Sequence, residues 1–233
     1  MRRWCAEQDA AWLGRISTVA TDLAESYRAG LTPHLSHATR VADPFHVVRV
    51  ANRCVDKVRR RVQNETLHHR GKNDPLYRIR KLLLTGAERL NERGNDRMLL
   101  GLRVGDPDDE LLGAWLAKES VRDIYLTNDP AEAAVLIDKA IAGCLADEVE
   151  EIRSLGATLV SWRTEILAHH TTGASNGPTE GLNLLVKKVK RCGHGFINFE
   201  NYRLRVLLHA GGVTWSTRPS PPRIRTRTPY SDA

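Results

Sequence analysis

The sequence lacks the patterns that would mark a zinc knuckle, a redox dithiol or export from the cytoplasm. Its four cysteines stand far apart with no C-x-x-C pair, so their spacing predicts neither of those sites. The opening MRRWCAEQDAAW has acidic residues where a signal peptide needs an apolar run. No stretch approaches the roughly 18 apolar residues of a membrane span. We therefore expect a cytoplasmic protein with reduced thiols and no membrane partner.

Acidic residues are outnumbered by basic ones. The 233 residues include 35 Lys and Arg against 28 Asp and Glu, which gives a formal charge of +7 and a pI near 9.5. Such a balance favours a polyanionic partner, because clustered cations replace the counterions condensed on nucleic-acid phosphates. A merely basic cytosolic protein is the alternative. With 41% hydrophobic and 27% charged residues, the chain is expected to fold into one or two water-soluble domains.

Two short β-branched runs predict a pair of parallel strands near the start of the chain. After a predicted helix around Trp4–Trp12, ISTVATDL is typical of a strand that ends at Asp22. LAESYRAGL then predicts a helix, and HATRVAD a second strand that ends at Asp43. Because a helix separates the two strands, parallel pairing is favoured.

A long basic helix is predicted next. Pro44 suits the first helical position, and FHVVRVANRCVDKVRRRV keeps its apolar residues on one face. Its outer charges predict either a solvated face or one that contacts DNA: Lys57, Arg59, Arg60 and Arg61. Residues 64–73 are polar and predict a loop, in which His68 and His69 are assigned no role.

From Leu76 to about His170 the pattern is helical almost throughout. This block predicts an inserted all-helical subdomain, held by apolar stripes such as Leu111, Trp115 and Leu116. The run TTGASNGP interrupts the periodicity, and two further helices are predicted in TEGLNLLVKKVKR and GHGFINFENYRLRVLLHA.

Three carboxylates stand at the ends of predicted elements. Asp22 and Asp43 each end a strand, and Glu180 opens a helix. Such positions commonly host sites in α/β folds. A cleft that collects Asp22 and Glu180 would suit Mg²⁺, which takes one or two carboxylates and keeps water ligands. Each carboxylate could instead cap the helix beside it, Glu180 as the glutamate of a capping box.

Several segments carry a resemblance to a known family. SNGPTEGLNLLVKKVKRCGHGFINFENYRLRVLL resembles the signature of DDE transposases of the ISL-three insertion-sequence family. VADPFHVVRVAN resembles that family's second conserved block, and TVATDLAESY is similar to the block with its second catalytic aspartate. HAGGVTW and the Arg/Pro tail are also similar, so the resemblance covers essentially the whole chain. It implies an α/β fold with an RNase H-like core and a helical insertion before the last catalytic helix.

The resemblance also implies a catalytic site. The second catalytic aspartate falls on Asp22 and the final glutamate on Glu180, both as metal ligands, and the accessory D-x-x-H element falls on Asp43 and His46. Pro44 stands where family members usually have a basic residue. Two Mg²⁺ or Mn²⁺ ions would support phosphodiester cleavage and strand transfer. DNA phosphates would be held by nearby basic residues: Lys187, Lys188, Lys190, Arg191 and Arg203.

The first catalytic aspartate of the family has no counterpart in this sequence. The only acidic residues before Asp22 are Glu7 and Asp9, and both fall in the predicted opening helix. The resemblance therefore implies an amino-terminally truncated, catalytically impaired transposase with an incomplete core that lacks its first strands. One alternative is a non-enzymatic DNA-binding or dimerising remnant that interferes with full-length transposase. Another is an unrelated basic helical protein whose carboxylates are all caps.

The expected organisation has four parts. A partial RNase H-like core occupies 1–75, the helical insertion 76–172, the catalytic-glutamate and closing helices 173–210, and a disordered basic tail 211–233. The expected partners are DNA at the element ends and target, together with full-length transposase or a second copy of this chain. The expected location is the bacterial cytoplasm, in association with the nucleoid.

Overall fold

The computed structural model describes residues 2–69 and 71–211, so the predicted tail lies almost wholly outside the described residues. The described part is mostly helical and includes a short 3₁₀ turn at Ala87–Arg89. Its strands are β1 (Thr18–Thr21) and β2 (Thr39–Ala42). Its helices are α1 (Arg2–Ala6), α2 (Ala10–Gly14), α3 (Glu25–Leu31), α4 (Pro44–Leu67), α5 (Pro75–Leu84), α6 (Glu92–Gly105), α7 (Glu110–Asp123), α8 (Pro130–Ala146), α9 (Glu150–Thr172), α10 (Gly177–Cys192) and α11 (Phe199–Ala210).

The two strands pair in parallel, as the order of strand, helix and strand predicted. Thr18 lies opposite Thr39, and Thr21 lies opposite Ala42. Helix α3 makes the crossover between the strands. Because parallel strands run in the same direction, the residues that follow β1 and β2 emerge at the same edge of the sheet. This edge is where the predicted strand-end carboxylates stand.

Two predicted boundaries are wrong. The opening helix is broken into α1 and α2, because Asp9 accepts a hydrogen bond from the amide of Trp12 at 2.9 Å and so begins a new helix. The loop predicted from residue 64 starts later, since α4 runs to Leu67 and ends at His68 in the left-handed conformation with φ 57°. In the second case a polar sequence stays helical because a long helix carries its hydrogen-bond ladder onward.

The predicted block of helices is confirmed from α5 to α9. The core lies between the apolar faces of α4, α7, α8 and α9, with α5 packed on α6. Leu111 is fully buried in this core and Trp115 packs partly against it. Leu116, however, is 53% exposed, so the prediction for this residue is wrong. It stands five positions after Leu111, which at 100° per residue turns it well away from the buried face.

Two of the four basic residues of α4 named above, Arg59 and Arg61, make ion pairs with partly buried carboxylates of the protein. Arg61 donates to Glu151 at 2.9 and 3.2 Å and to Glu110 at 2.9 Å, which joins α4 to α9 and α7. Arg59 is only 6% exposed and pairs with Asp56. Neither interpretation of the basic face therefore holds for Arg59 and Arg61, because partly buried carboxylates of the protein, and not solvent or phosphates, pair with their charges.

The chain divides into two compact units, Met1–Asn176 and Gly177–Ala233. In the second unit α10 packs against α11, and no described side chain of either helix is buried. The four-part division of the sequence stays a prediction. Among the described residues, no helix is both long and apolar enough to cross a bilayer.

Candidate active site

Asp22 and His46 meet at the edge of the sheet where the strands end. Asp22 follows β1, and its Oδ1 lies 3.0 Å from Nε2 of His46, which stands in the first turn of α4. The Asp22 side chain is 40% exposed and that of His46 is 14% exposed. The carboxylate is therefore open to solvent on one side and fixed by the imidazole on the other. The contact is an ion pair whenever His46 carries its second proton.

Asp43 is a buried carboxylate that takes its hydrogen bond from a distant part of the chain. It is 4% exposed, and its Oδ1 accepts a hydrogen bond from the backbone amide of Asn176 at 2.8 Å. Its own amide donates to the Thr21 carbonyl at 3.1 Å, which continues the strand pairing by one step. A buried carboxylate needs such donors, because desolvation without compensation is costly.

Asn176 contacts both strand-end aspartates. Besides its amide bond to Asp43, its Nδ2 donates to Oδ1 of Asp22 at 3.4 Å. Sequence reasoning assigned Asn176 no role, although it lies inside the SNGPTE segment that carried the family resemblance. That position in the segment was the one signal that could have identified it.

The helix-capping alternative is wrong for Asp22 and for the side chain of Asp43. Helix α3 begins at Glu25 with Ala24 at its N-cap, so Asp22 stands too early to cap it. Asp43 occupies the N-cap position of α4, but its side chain makes no capping bond there. The Asp43 carboxylate is instead the acceptor for the Asn176 amide.

Glu180 stands in the first turn of α10, four positions after Asn176 in the sequence, and is exposed. A carboxylate is favoured in this turn by the unsatisfied amides and the positive end of the helix dipole. Asp22 and Glu180 belong to different compact units. The pairing of these two carboxylates in one site therefore stays a prediction.

The basic residues predicted to hold DNA phosphates all belong to the second unit. They are exposed on α10 and α11: Lys187, Lys188, Lys190, Arg191 and Arg203. Arg203 is paired with Glu200 at 2.9 Å, in a contact open to solvent on both sides. Exposed pairs of this kind are weak, so Arg203 can exchange its partner for a phosphate at little cost.

Asp22 fits one ligand position of a hard divalent cation, because its carboxylate is accessible and Mg²⁺ prefers oxygen ligands. Within residues 2–69 and 71–211, no group of three or more His, Cys, Asp or Glu side chains is arranged to hold a metal ion. A magnesium site that includes Asp22 therefore stays a prediction. Mg²⁺ commonly completes its shell with waters and substrate phosphates.

An aromatic group that the sequence did not predict packs against the last turn of α9. Tyr125 follows α7, and burial followed by the negative charge of Asp43 raises the pKa of its hydroxyl far above the usual range. The Tyr125 ring stacks on His170 with centroids 5.8 Å apart and meets His169 edge-on at 5.8 Å. Burial and the neighbouring His169 lower the pKa of His170, which favours a neutral imidazole.

Comparison with known proteins identifies the family of this chain. A DDE transposase family of the ISL-three type, described as "Transposase", matches residues 1–206. The transposase of insertion sequence IS1001 from Bordetella parapertussis is 23% identical over 193 residues, which cover 82% of this chain and 47% of that protein. The transposase of IS1557 from Mycobacterium tuberculosis strain H37Rv is 26% identical over 203 residues, which cover 78% of this chain and 45% of that protein.

The chain thus spans somewhat less than half the length of the curated relatives it matches. No solved structure matches it significantly. The family match extends over both strands, the helical block, α10 and the first part of α11. The chain belongs to the ISL-three family of insertion-sequence DDE transposases.

Proposed function

We propose that this chain contributes Asp22 and Glu180 to the DNA-cleavage and strand-transfer site of an RNase H-like transposase. The supporting observation is that three separate sequence blocks meet at one sheet edge. Asp22 from TVATDL contacts His46 from DPFH, and Asn176 from SNGPTE bonds the aspartates of both other blocks. Carboxylates that only capped separate helices would not be expected to share one hydrogen-bond partner.

Each residue has a distinct role in this proposal. Asp22 holds a divalent ion, and His46 orients the Asp22 carboxylate through its Nε2 contact. Asp43 fixes the backbone of Asn176, which immediately precedes the helix that carries Glu180. When bound, two Mg²⁺ or Mn²⁺ ions supply the activation of water or a 3′-hydroxyl and the stabilisation of the leaving oxygen. Asp22 and Glu180 are the two family carboxylates that this chain provides for them.

DNA is the proposed partner of the second unit. The exposed lysines and arginines of α10 and α11 would contact phosphates, which fixes position without reading sequence. Binding should therefore weaken steeply with added salt, because each phosphate contact releases condensed counterions. Scrambled and element-end duplexes should bind with similar affinity, and a large ratio between them would contradict this assignment.

We further propose that this chain has little or no cleavage activity by itself. It carries two of the three carboxylates of the family's site, and Mg²⁺ requires near-ideal octahedral coordination. The second candidate function is non-enzymatic DNA binding or dimerisation that interferes with full-length transposase. That candidate is favoured by the exposed basic residues on α10 and α11.

The decisive experiment is nicking of a supercoiled plasmid by the purified chain with Mg²⁺ or Mn²⁺. The variants Asp22→Ala and Glu180→Ala remove the two proposed ligands. Glu200→Ala is the matched control, because Glu200 is an exposed glutamate in the first turn of α11 and is assigned no metal. Circular dichroism of each variant checks that the fold is retained.

The outcomes separate the proposals. Nicking that both ligand variants abolish and Glu200→Ala retains would support an assembled site and contradict the proposed inactivity. No nicking by the folded chain, with salt-sensitive DNA binding intact, would support the non-enzymatic function. Nicking that survives both ligand substitutions would contradict the assignment of Asp22 and Glu180.

A further inference from the structure

Residues 173–176, here called the connecting segment, follow α9 and end at Asn176. Asn176 donates its amide to Asp43 at 2.8 Å and its Nδ2 to Asp22 at 3.4 Å. Gly173 begins the segment in the left-handed conformation with φ 65°, which ends α9. The path of these residues outside any helix therefore decides whether Asn176 reaches both aspartates.

Ala174, inside the connecting segment, is held at both of its backbone polar groups. Its amide donates to Oγ1 of Thr172 at 3.2 Å, and its carbonyl oxygen lies 2.8 Å from Nδ1 of His169. The Thr172 hydroxyl in turn donates to the carbonyl of Ala168 at 2.7 Å. Both partners of Ala174 stand in the last turn of α9, so the end of this helix sets the path of the segment that leaves it.

The contact between His169 and Ala174 fixes which ring nitrogen of His169 carries a proton. A carbonyl oxygen can only accept a hydrogen bond, so Nδ1 must be the donor. A neutral imidazole in this contact is therefore the tautomer protonated at Nδ1, and an imidazolium donates from the same atom. The hydrogen bond to Ala174 thus forms in either charge state of His169.

The His169 ring is itself held by two other rings. Its centroid lies 5.8 Å from that of Tyr125, at an interplanar angle of 70°, and 5.5 Å from that of His170, at 79°. Tyr125 belongs to the connection between α7 and α8, whereas His170 is the next residue of α9. Edge-to-face packing is a preferred arrangement of rings, so these contacts orient the imidazole before it meets the Ala174 carbonyl.

We propose that His169 is a positioning residue for the candidate active site: its Nδ1–H holds the Ala174 carbonyl and so sets the path of the connecting segment that brings Asn176 to Asp22 and Asp43. The consequence for DNA cleavage rests on the proposed function, whereas the effect on Asn176 does not. The alternative role of His169 is packing of its ring, which needs no proton on Nδ1.

The first test is the tautomer of His169, read from the ¹⁵N shifts of its ring nitrogens by NMR on the whole chain without metal or DNA. Above about pH 8, where an ordinary imidazole is neutral, we expect the proton on Nδ1. A proton on Nε2 would overturn the proposal, because Nδ1 would then have nothing to donate to the carbonyl. This measurement needs no variant and so does not depend on the folding of one.

The second test is hydrogen exchange of the Asn176 amide under the same conditions. His169→Leu removes the donor, and we expect Asn176 to exchange roughly fivefold faster, as for the loss of one hydrogen bond of ordinary net strength. His169→Asn should restore slow exchange, because its side-chain amide can present an N–H close to the position of Nδ1. His170→Leu is the matched control, since it disturbs the same rings in the same turn of α9 and keeps the donor to Ala174.

An unchanged Asn176 exchange rate in His169→Leu would overturn the proposal, because the bond to Ala174 would then not hold the segment. Equal acceleration in His169→Leu and His170→Leu, or no recovery in His169→Asn, would overturn it too and assign the effect to ring packing. Amides in the middle of α4 should keep their exchange rates in every variant, and an equal change there would reduce His169 to a contributor to global stability. Failure of plasmid nicking would count against the proposed function and would leave these results intact.

Discussion

At the scale of single residues, burial decides the chemistry of several polar groups. Lys118 is fully buried, and its Nζ donates to the carbonyls of Leu83 and Thr85 at 2.8 and 2.9 Å. Burial lowers the pKa of Lys118 even though Glu119 stands next to it. The Lys118 ammonium thus donates hydrogen bonds to carbonyls at the carboxyl end of α5, which no backbone amide of the helix can reach. No local pattern marks Lys118 as different from the exposed lysines of the chain.

The thiol of Cys144 provides a pH test at the residue scale. Burial, followed by the charge of Asp147, raises the pKa of Cys144 to about 11 from 9.0. Between these values the unfolded chain has released the proton and the folded chain retains it, so the free energy of unfolding falls as pH rises. The wild type should lose stability relative to Cys144→Ala from pH 9 to 11, approaching about 1.4 kcal/mol per pH unit. Urea unfolding at several pH values measures this difference, and parallel profiles would contradict it.

At the scale of elements, ion pairs across helices depend on how far they are withdrawn from water. Arg61 binds Glu151 through two nitrogens and Glu110 through one, and these side chains are 20 to 30% exposed. The hydrogen bonds from Arg61 hold the pKa of Glu151 below its usual range. Arg163 also contacts one carboxylate through two nitrogens, that of Asp138 at 2.7 and 2.8 Å, but these two side chains are 40% and 57% exposed to solvent. Both arginines hold one carboxylate through two nitrogens, and Arg61 also contacts Glu110 and Glu65, so the pairs compare a shielded network with an exposed single pair.

We expect Arg61→Lys to lower the free energy of unfolding by about 1–2 kcal/mol, because an ammonium cannot serve both glutamates and leaves part of their charge uncompensated. Arg163→Lys should cause no measurable change, since exposed pairs contribute little. Chemical denaturation of both variants measures the contrast. Equal losses would mean that burial is not what gives the Arg61 contacts their strength.

At the scale of the whole molecule, the two compact units differ in how they bury their helices. Helices α4 and α9 have apolar side chains in a continuous core, whereas no described side chain of α10 or α11 is buried. Isolated helices of 16 and 12 residues are marginal in water, and most helical stability in proteins comes from packing. The second unit should therefore open more often than the first.

Amide hydrogen exchange followed by mass spectrometry tests this difference in the isolated chain. Peptides from α10 and α11 should exchange at least about tenfold faster than peptides from α4 and α9, because fewer buried contacts oppose their opening. Addition of DNA should slow exchange in the second unit if the proposed phosphate contacts form. Protection of α10 equal to that of α4 in the free chain would contradict the expectation.

The parts of the fold that could be predicted are those set by short-range patterns. The β-branched runs located both strands, Pro44 marked the start of α4, and the helical periodicity located the block from α5 to α9. The errors fell where patterns are weakest, at the break before Asp9 and at the polar end of α4. Element existence is encoded locally, whereas boundaries depend on individual capping contacts.

The sequence by itself predicted that Asp22 and Asp43 lie where two parallel strands end, and the structure places them directly after β1 and β2 at one sheet edge. Only the tertiary structure decided what these carboxylates contact. Asn176, which contacts both aspartates, is 133 positions from Asp43 and 154 positions from Asp22. Such contacts depend on how α9 packs beside β2 and where it ends. Periodicity reports which face of an element is buried but not which distant residue lies against it, so these partners had to come from the packed structure.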